Sequence, residues 1–335
     1  MTRNLCTFVC GAALAMCLSR VVVADPLPGQ FLKFQQRPMA GTFVPNPGGP
    51  EIFNGHDEGS TAYSMVDATG QIIGYEGRFM ADDFADEFKS PVVHLKWWGS
   101  YLNDQTVPPG LGVRRFLISF ESDIPATSAN DFSRPGTPLL NQIVTLDSDS
   151  VLTPGSGTFT ERIFHPVSID GPIYEYNAEL HFGKEFRQEP DKVYWLKIVA
   201  LVDAPPTVPP EQRLRWGWHN RDYTIFDPLA SPLPVPGEHN QFPMGPFPVW
   251  HFQDDAVDGS VFVGINPSDP MTQIMPFVQQ TVRGPNDYLP LVDGPSIIGM
   301  FSKDLAFELY TVPEPACATL LVIALAALPW RRRRG

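Results

Sequence analysis

Short segments in which apolar and polar residues alternate recur along most of the chain, and they constrain its fold more than any other feature. Val93, Leu95 and Trp97, for example, alternate with His94 and Lys96. The same period of two recurs around residues 116–120, 174–182, 194–198, 214–218 and 305–309. It places successive side chains on opposite faces of a β-strand, and the aromatic and β-branched content favours strands as well. The body of the chain lacks a sustained helical period, so we predict an all-β domain.

Proline and glycine punctuate these segments, as in Pro108-Pro109-Gly110 and in the run from Pro228 to Gly237. Such residues supply turns between strands. One-sided alternation predicts sheets that bury one face each, so the expected fold class is an antiparallel β-sandwich, jelly-roll-like, over residues 61–311. No internal repeat is present, which favours one domain. Residues 25–60 are rich in proline and glycine and predict an extended arm.

The first 24 residues predict a signal peptide. Arg3 precedes an apolar stretch, and Val22-Val23-Ala24 provides small residues before Asp25. A positive start, an apolar centre and a small-residue cleavage site are the three parts of a secretory signal. We therefore expect an N-terminal signal helix, use of the secretion machinery and cleavage after Ala24.

Residues 312–335 form a second distinctive segment. Val312 is followed by Pro313, Glu314 and Pro315, and then by an apolar run from Ala318 to Trp330. The chain continues into Arg331, Arg332, Arg333 and Arg334. This order predicts a short transmembrane helix whose arginines anchor it on the cytoplasmic side. The prolines interrupt any helix upstream, so the motif is expected to be extended and accessible.

This terminal pattern resembles the PEP-CTERM sorting signal of Gram-negative bacteria. The resemblance covers Val312 to Gly335 and rests on the Pro-Glu-Pro motif, the apolar helix and the arginine cluster in that order. It implies that a membrane transpeptidase, an exosortase, recognises Pro313-Glu314-Pro315 and removes the helix. It also implies a place at the cell surface or in an exopolysaccharide or biofilm matrix, after transient anchoring in the inner membrane.

A weaker resemblance links the body, from about Glu76 to Tyr310, to a domain of uncharacterised PEP-CTERM proteins. It is carried by Ala81-Asp82-Asp83-Phe84, the stretch from His94 to Leu102, Ser122-Asp123-Ile124-Pro125, Val193-Tyr194-Trp195-Leu196 and Trp216-Gly217-Trp218. The resemblance implies a sandwich fold and transfers no catalytic residue.

Charge and cysteine content exclude several classes of function. The formal net charge is −13, and the acidic excess grows once the arginine-rich ends are set aside. Nucleic-acid binding requires a basic face and is therefore not expected. All four cysteines, Cys6, Cys10, Cys17 and Cys317, lie in the two terminal segments. The body thus has no thiol for disulfides, zinc–thiolate sites or nucleophilic catalysis.

Acidic clusters make calcium the candidate cation. Asp254, Asp255 and Asp258 are close in sequence, as are Asp82 with Asp83 and Asp147 with Asp149. Calcium takes six to eight oxygen ligands, often from loop carboxylates. The alternative for each cluster is a solvated loop. The histidines near tryptophans, His94, His219 and His251, are interpreted as structural rather than as a zinc site.

Trp98 is the candidate carbohydrate platform. Alternation places it on the opposite face from Trp97 and on the side of Lys96, and an exposed indole can stack on a sugar ring. The alternative is that Trp98 packs beneath a loop. Because no nucleophile elbow or phosphate-binding loop is found, we predict a non-enzymatic surface or matrix protein with a structural or carbohydrate-contacting role. The alternatives are a polysaccharide hydrolase or lyase on the same fold and a protein-adhesion module.

Overall fold

The computed structural model describes residues 26–39, 57–102, 107, 110–125, 133–149, 157–165, 172–190, 192–204, 208–222, 256–266, 268–283 and 304–313. In this part of the chain the strands are β1 (Phe31–Gln36), β2 (Asp57–Gly59), β3 (Thr61–Val66), β4 (Ile72–Phe84), β5 (Val92–Tyr101), β6 (Arg115–Ile124), β7 (Arg134–Leu146), β8 (Gly157–His165), β9 (Ile173–Glu179), β10 (Tyr194–Val202), β11 (Trp216–His219), β12 (Val257–Gly264), β13 (Phe277–Val282) and β14 (Phe307–Thr311). The one α-helix there, α1 (Met271–Ile274), is a single turn. The prediction of an all-β fold is confirmed.

The strands belong to one continuous sheet. Its order is β1-β14-β5-β9-β8-β7-β6-β10-β3-β4-β12-β13, and β11 pairs with both β5 and β2. The alternating segment around residues 305–309 therefore forms an interior strand, because β14 lies between β1 and β5. Two pairings are parallel, β10 with β3 and β7 with β8, whereas the sequence analysis predicted antiparallel pairing throughout. The alternation of side chains is the same in both arrangements and could not distinguish them.

Side-chain contacts show that the sheet curls back on itself. Trp97 in β5 packs edge-on against Phe116 in β6 with ring centroids 5.2 Å apart, although three strands separate β5 from β6 in the sheet order. Phe34 in β1 lies 5.8 Å from Phe84 in β4 in the same way. These residues belong to one large hydrophobic cluster that draws on ten strands from β1 to β14. Burial of this apolar surface is the main stabilising contribution.

Strand β10 lies at the centre and is buried on both faces. Leu196 and Ile198 face the large cluster, whereas Trp195 and Val199 face a second cluster shared with β4, β12 and β13. All nine residues of β10 are buried. The expectation of one buried face per strand is therefore wrong here. The nearly continuous apolar run of this strand is typical of two-sided burial.

The predicted arm over residues 25–60 is wrong for its two ends. Residues Phe31–Gln36 form β1 and pair with β14, and Asp57–Gly59 form β2 and pair with β11. Phe34 is buried and stacks on Phe307 at 5.0 Å. The proline and glycine residues that suggested an arm lie mainly around β1 and between the two strands.

A tight turn joins β3 to β4. The Asp67 carboxylate accepts hydrogen bonds from the backbone N–H groups of Thr69 and Gln71 at 2.8 and 3.0 Å. Gly70 has φ of +85°, a conformation that costs little only for glycine. The Thr69 hydroxyl also donates a hydrogen bond to this carboxylate. This bond, together with the backbone hydrogen bonds, lowers the pKa of Asp67. The Asp-Ala-Thr-Gly sequence thus fixes the hairpin register.

The signal peptide (residues 1–24), Glu314, Pro315 and the apolar segment with its arginines lie outside the described residues. Within the described ranges, no helix has the length and apolar character needed to cross a membrane.

Candidate functional site

Alternation along β5 creates a polar face on the side of the sheet away from the large core. His94, Lys96 and Trp98 project to this side, while Leu95 and Trp97 project into the core. Residues of β1, β14, β9 and β8 at matching register continue the same side. We call the surface formed by these five strands the polar face.

On the β14 side of the polar face, hydrogen bonds converge on Glu308. Its carboxylate accepts a hydrogen bond from the Gln35 amide at 2.7 Å and a second one from the Tyr310 hydroxyl. Lys96 forms an ion pair with the same carboxylate at 3.5 Å. The Lys96 ammonium group also lies 5.9 Å from the centre of the Tyr310 ring. A carboxylate, an ammonium and a phenol are thereby held side by side on the two adjacent strands β14 and β5.

On the β9 side, His94 connects β9 to β14, because it contacts both Glu179 and Tyr310. Its Nδ1 lies 2.6 Å from the Glu179 carboxylate, and its ring packs edge-on against Tyr310 at 5.3 Å. Further along, Asn177 donates a hydrogen bond to Glu175 at 2.8 Å, and Glu175 pairs with Arg162 of β8 at 2.7 Å. His94 Nε2 lies 3.4 Å from Asn177 Oδ1 and joins the two parts. The network is therefore continuous from β1 to β8.

The structure places Trp98 on the predicted side but not in solvent. It is 3% exposed and packs with Ile173 and Ala306, while the ring of Phe164 covers it edge-on at 5.9 Å. The prediction of an outward platform is therefore wrong, because side chains of the neighbouring strands cover the indole. Phe164 itself is 42% exposed and presents the accessible aromatic surface at this end of the polar face.

The other described tryptophans serve the core. Trp97, Trp195, Trp216 and Trp218 are fully buried. Their indole N–H groups are used internally where a partner is available: Trp195 donates to Asp123 at 2.7 Å, and Trp218 donates to the Ala306 carbonyl at 2.9 Å. The high tryptophan content reflects packing rather than a row of surface platforms.

The acidic residues proposed for calcium have other partners where they are described. Asp258 forms ion pairs with Arg78 at 2.5 Å and with Arg283 at 2.9 Å. Asp149 pairs with Arg114, and Asp82 accepts the backbone N–H of Leu305 at 2.7 Å. Asp254 and Asp255 lie outside the described residues. Among the residues that the structure does describe, no three acidic or histidine side chains converge as a metal site would require.

His219 belongs to a buried Ser–Asp–His cluster whose connectivity does not fit nucleophilic catalysis. The Ser100 hydroxyl donates to Asp57 at 2.5 Å, and His219 Nδ1 contacts the other oxygen of the same carboxylate at 3.0 Å. His219 Nε2, which would have to face the serine in a catalytic triad, faces the Met39 carbonyl at 2.8 Å. The cluster ties β2, β5 and β11 together. His251 lies outside the described residues.

A buried ion pair between Lys197 and Glu121, which was not predicted from the sequence, lies beside the second hydrophobic cluster, in what we call the second core. Both side chains are 0% exposed. Burial lowers the pKa of Lys197, and the Glu121 carboxylate opposes that shift. Glu121 also accepts hydrogen bonds from Ser119 at 2.9 Å and from Gln280 at 2.6 Å, and the Lys197 ammonium lies 4.3 Å from the Phe79 ring centre. Lys197 stands within an apolar run of β10, and this pattern is the one sequence signal for the pair.

Glu161 on β8 anchors a tyrosine cluster at the end of the large core. Its carboxylate accepts hydrogen bonds from Tyr101 at 2.8 Å, Tyr176 at 3.3 Å and the Gly110 backbone N–H at 3.0 Å. Burial raises the pKa of Glu161, and these three donors oppose the shift. Burial also raises the pKa of both tyrosines. Because both phenols are buried, the cluster fixes the loop at Gly110 rather than offering a site to solvent.

The chain leaves the sheet after β14 beside a groove of about 600 Å³, which we call the exit groove. It is lined by Lys89, Pro91, Val93, Glu185, Arg187, Gln188, Glu189, Val312 and Pro313. Pro313, the first residue of the predicted sorting motif, is exposed there. Nearby, Lys33 donates to the Ser90 carbonyl at 2.6 Å and pairs with Asp86 at 3.5 Å. Burial lowers the pKa of Lys33 and raises that of Asp86, and each shift is partly opposed by the partner's charge.

A protein-family model matches residues 32–255, about two-thirds of the chain, and is described as a domain of unknown function, DUF7901. The chain belongs to the DUF7901 family. No curated protein and no solved structure matches it.

The DUF7901 match begins within β1 and ends just before β12. It therefore includes most of the polar face but not β14, which carries Glu308 and Tyr310 and lies between β1 and β5. The folded unit extends beyond the matched range to Thr311. A DUF7901 fragment ending at residue 255 would leave the edges of β1 and β5 unpaired.

Proposed function

We propose that this DUF7901 protein is an exported, non-enzymatic protein of the cell surface or exopolysaccharide matrix that contacts carbohydrate through its polar face. The observation that carries the proposal is the continuous array of charged and amide side chains from β1 to β8, which ends at the accessible ring of Phe164. Saccharide recognition combines hydrogen bonds to hydroxyl groups with an apolar ring face. The array supplies both in one surface.

The accessible members of the array lie on β8 and β9. Arg162 has a side chain that is 46% exposed, and that of Glu179 is 26% exposed. Their partners Glu175 and His94 are buried and hold them in place. A fixed donor, a fixed acceptor and the Phe164 ring can thus meet a sugar with little loss of side-chain entropy.

We also infer that the curled sheet is a β-sandwich of the jelly-roll type. The packing of β5 against β6 and of β1 against β4 across one core supports two facing layers. In such a fold the polar face is the outer surface of one layer, where extended chains can lie across several strands.

Export and processing complete the proposal. The Pro313-Glu314-Pro315 motif follows β14 after a single residue, and Pro313 is exposed beside the exit groove. A membrane transpeptidase of the exosortase type would act there, after which the sheet with β14 intact would stay at the surface or in the matrix. Because β14 is held by strands on both sides, removal of the segment after residue 313 leaves every described strand in place.

The test of carbohydrate contact uses the full chain purified in detergent. Binding to acidic and neutral polysaccharides is measured by biolayer interferometry with and without calcium, alongside an assay for new reducing ends. We expect saturable binding without new reducing ends, weakened about tenfold or more by Phe164→Ala and by Arg162→Gln.

Two matched variants control for the loss of an exposed ring and of a paired arginine. Phe277→Ala removes a 60% exposed ring from β13. Arg78→Gln removes an arginine with a 59% exposed side chain that pairs with Asp258, as Arg162 pairs with Glu175. Equal effects in test and control variants would contradict a role for the polar face. New reducing ends would favour a hydrolase or lyase, and absence of all binding would favour a protein partner.

A further inference from the structure

A pocket of about 280 Å³ lies at the opposite end of β10 from the exit groove, where β10 ends and β6 begins. It is lined by Gly112, Val113, Arg114, Leu201, Val202, Asp203, Ala204, Val208, Gln212, Arg213 and Leu214. Most of its wall is apolar, and its only described charged side chains are Arg114, Asp203 and Arg213. The pocket is therefore a small cavity whose electrostatics depend on three groups.

Two of these three charges are neutralised by neighbours. Arg114 forms a two-point ion pair with Asp149 and also donates to the Gly110 carbonyl at 2.8 Å. Asp203 pairs with Arg115 at 2.9 Å and accepts a hydrogen bond from the Tyr75 hydroxyl at 2.7 Å. Neither group has spare charge to offer a ligand.

Arg213 is different because it is held in place without an acidic partner. Its Nε donates to the Val208 carbonyl at 3.0 Å, and its guanidinium lies 5.3 Å from the centre of the Tyr63 ring. Among the described residues, no carboxylate pairs with it, and its terminal Nη groups donate no hydrogen bond. Tyr63 lies next to Val202 of the pocket wall through the pairing of β3 with β10.

Arg213 thus combines a place in the pocket wall with a guanidinium that has no acidic partner among the described residues. A guanidinium with two free parallel donors matches the two oxygens of a carboxylate. Its Nε bond and the Tyr63 ring fix its orientation, so little side-chain freedom is lost on binding. The apolar wall would then cover the body of a small ligand.

We propose that this pocket binds a carboxylate-bearing molecule of monosaccharide size, with the carboxylate paired to Arg213. A free uronic acid and the end unit of an acidic polysaccharide present the same chemistry. The proposal does not depend on the polar face, which belongs to other strands. A negative binding result for one site therefore does not contradict the proposal for the other site.

The test is isothermal titration of the full chain in detergent with glucuronate, its uncharged methyl ester and glucose. We expect glucuronate to bind at least tenfold more tightly than the ester or glucose. Arg213→Met should remove this preference. Arg213→Lys should retain only part of it, because an ammonium group keeps the charge but lacks the two parallel N–H donors of the guanidinium. A glucuronate oligosaccharide in the same titration distinguishes a chain end from the free acid.

Lys192→Met is the matched control. Lys192 is likewise a cation over a tyrosine ring, 5.5 Å from the centre of Tyr194, but it does not line the pocket. This variant should bind glucuronate like the wild type. Glucuronate binding that is absent in the wild type, equal to that of the methyl ester, or unchanged in a folded Arg213→Met variant would overturn the proposal. Thermal unfolding of each variant checks that it is folded.

Discussion

Replacing Lys197 by methionine isolates the energetic role of the buried ion pair. Methionine fills most of the same volume against Phe79 but removes the cation, so Glu121 is left charged in the second core. Removing one partner of a buried ion pair costs roughly 3–5 kcal/mol. Because Ser119 and Gln280 still donate to Glu121, we expect a loss near the lower end, about 3 kcal/mol.

The free energy of unfolding is measured by urea titration with tryptophan fluorescence. Adding Glu121→Gln to Lys197→Met should recover more than half of the loss. The Gln280 carbonyl oxygen is buried without a hydrogen-bond partner and can accept from the new amide.

Arg115→Met is the control, since the side chains of Arg115 and Asp203, which form an ion pair, are 30% and 46% exposed. A surface pair of this kind contributes about 0–1 kcal/mol. A loss below about 1 kcal/mol for Lys197→Met would refute the reasoning that the pair is fully desolvated.

Phe307→Ala should destabilise the protein by about 3–5 kcal/mol in the same titration, because the Phe307 ring is fully buried and stacks on Phe34 at 5.0 Å. Phe277→Ala, on the exposed side of β13, is the control and should cost less than about 0.5 kcal/mol. For Glu161, burial raises the folded-state pKa, so the folded protein binds its proton more tightly than the unfolded chain does. Its contribution is therefore full below the ordinary glutamate pKa and is lost as the pH rises through the raised value. The difference in unfolding free energy between wild type and Glu161→Gln should fall as the pH rises above about 4.5; a flat or rising difference would contradict this.

The period-two pattern was sufficient to predict the all-β class and six of the fourteen described strands, namely β5, β6, β9, β10, β11 and β14. It also placed Trp98 on the side of Lys96, which the structure confirms. It could not predict exposure, because the cover over Trp98 comes from Phe164, Ile173 and Ala306, which lie far from it in sequence. Burial of an outer face depends on which strands become neighbours, and alternation within one strand carries no such information.

The candidate site was predicted only in part for the same reason. Glu308 and His94 were visible as polar residues in strands, but their contacts with Gln35 and Glu179 require the order β1-β14-β5-β9. The pocket around Arg213 was missed because its wall comes from three separate stretches of chain. The export and sorting segments, by contrast, are local patterns, and they remain predictions outside the described residues.

The position of β14 has a consequence for the order of events during biogenesis. Gln35 and Glu308, which bond to each other in β1 and β14, are 273 residues apart in sequence. Neither β1 nor β5 can complete its hydrogen bonding until β14 has emerged, and such distant pairings form slowly. If the chain is exported as proposed above, it would remain incompletely folded during translocation and would complete its sheet only once residue 311 has crossed the membrane. Formation of the last strand would then couple the end of translocation to the completion of folding.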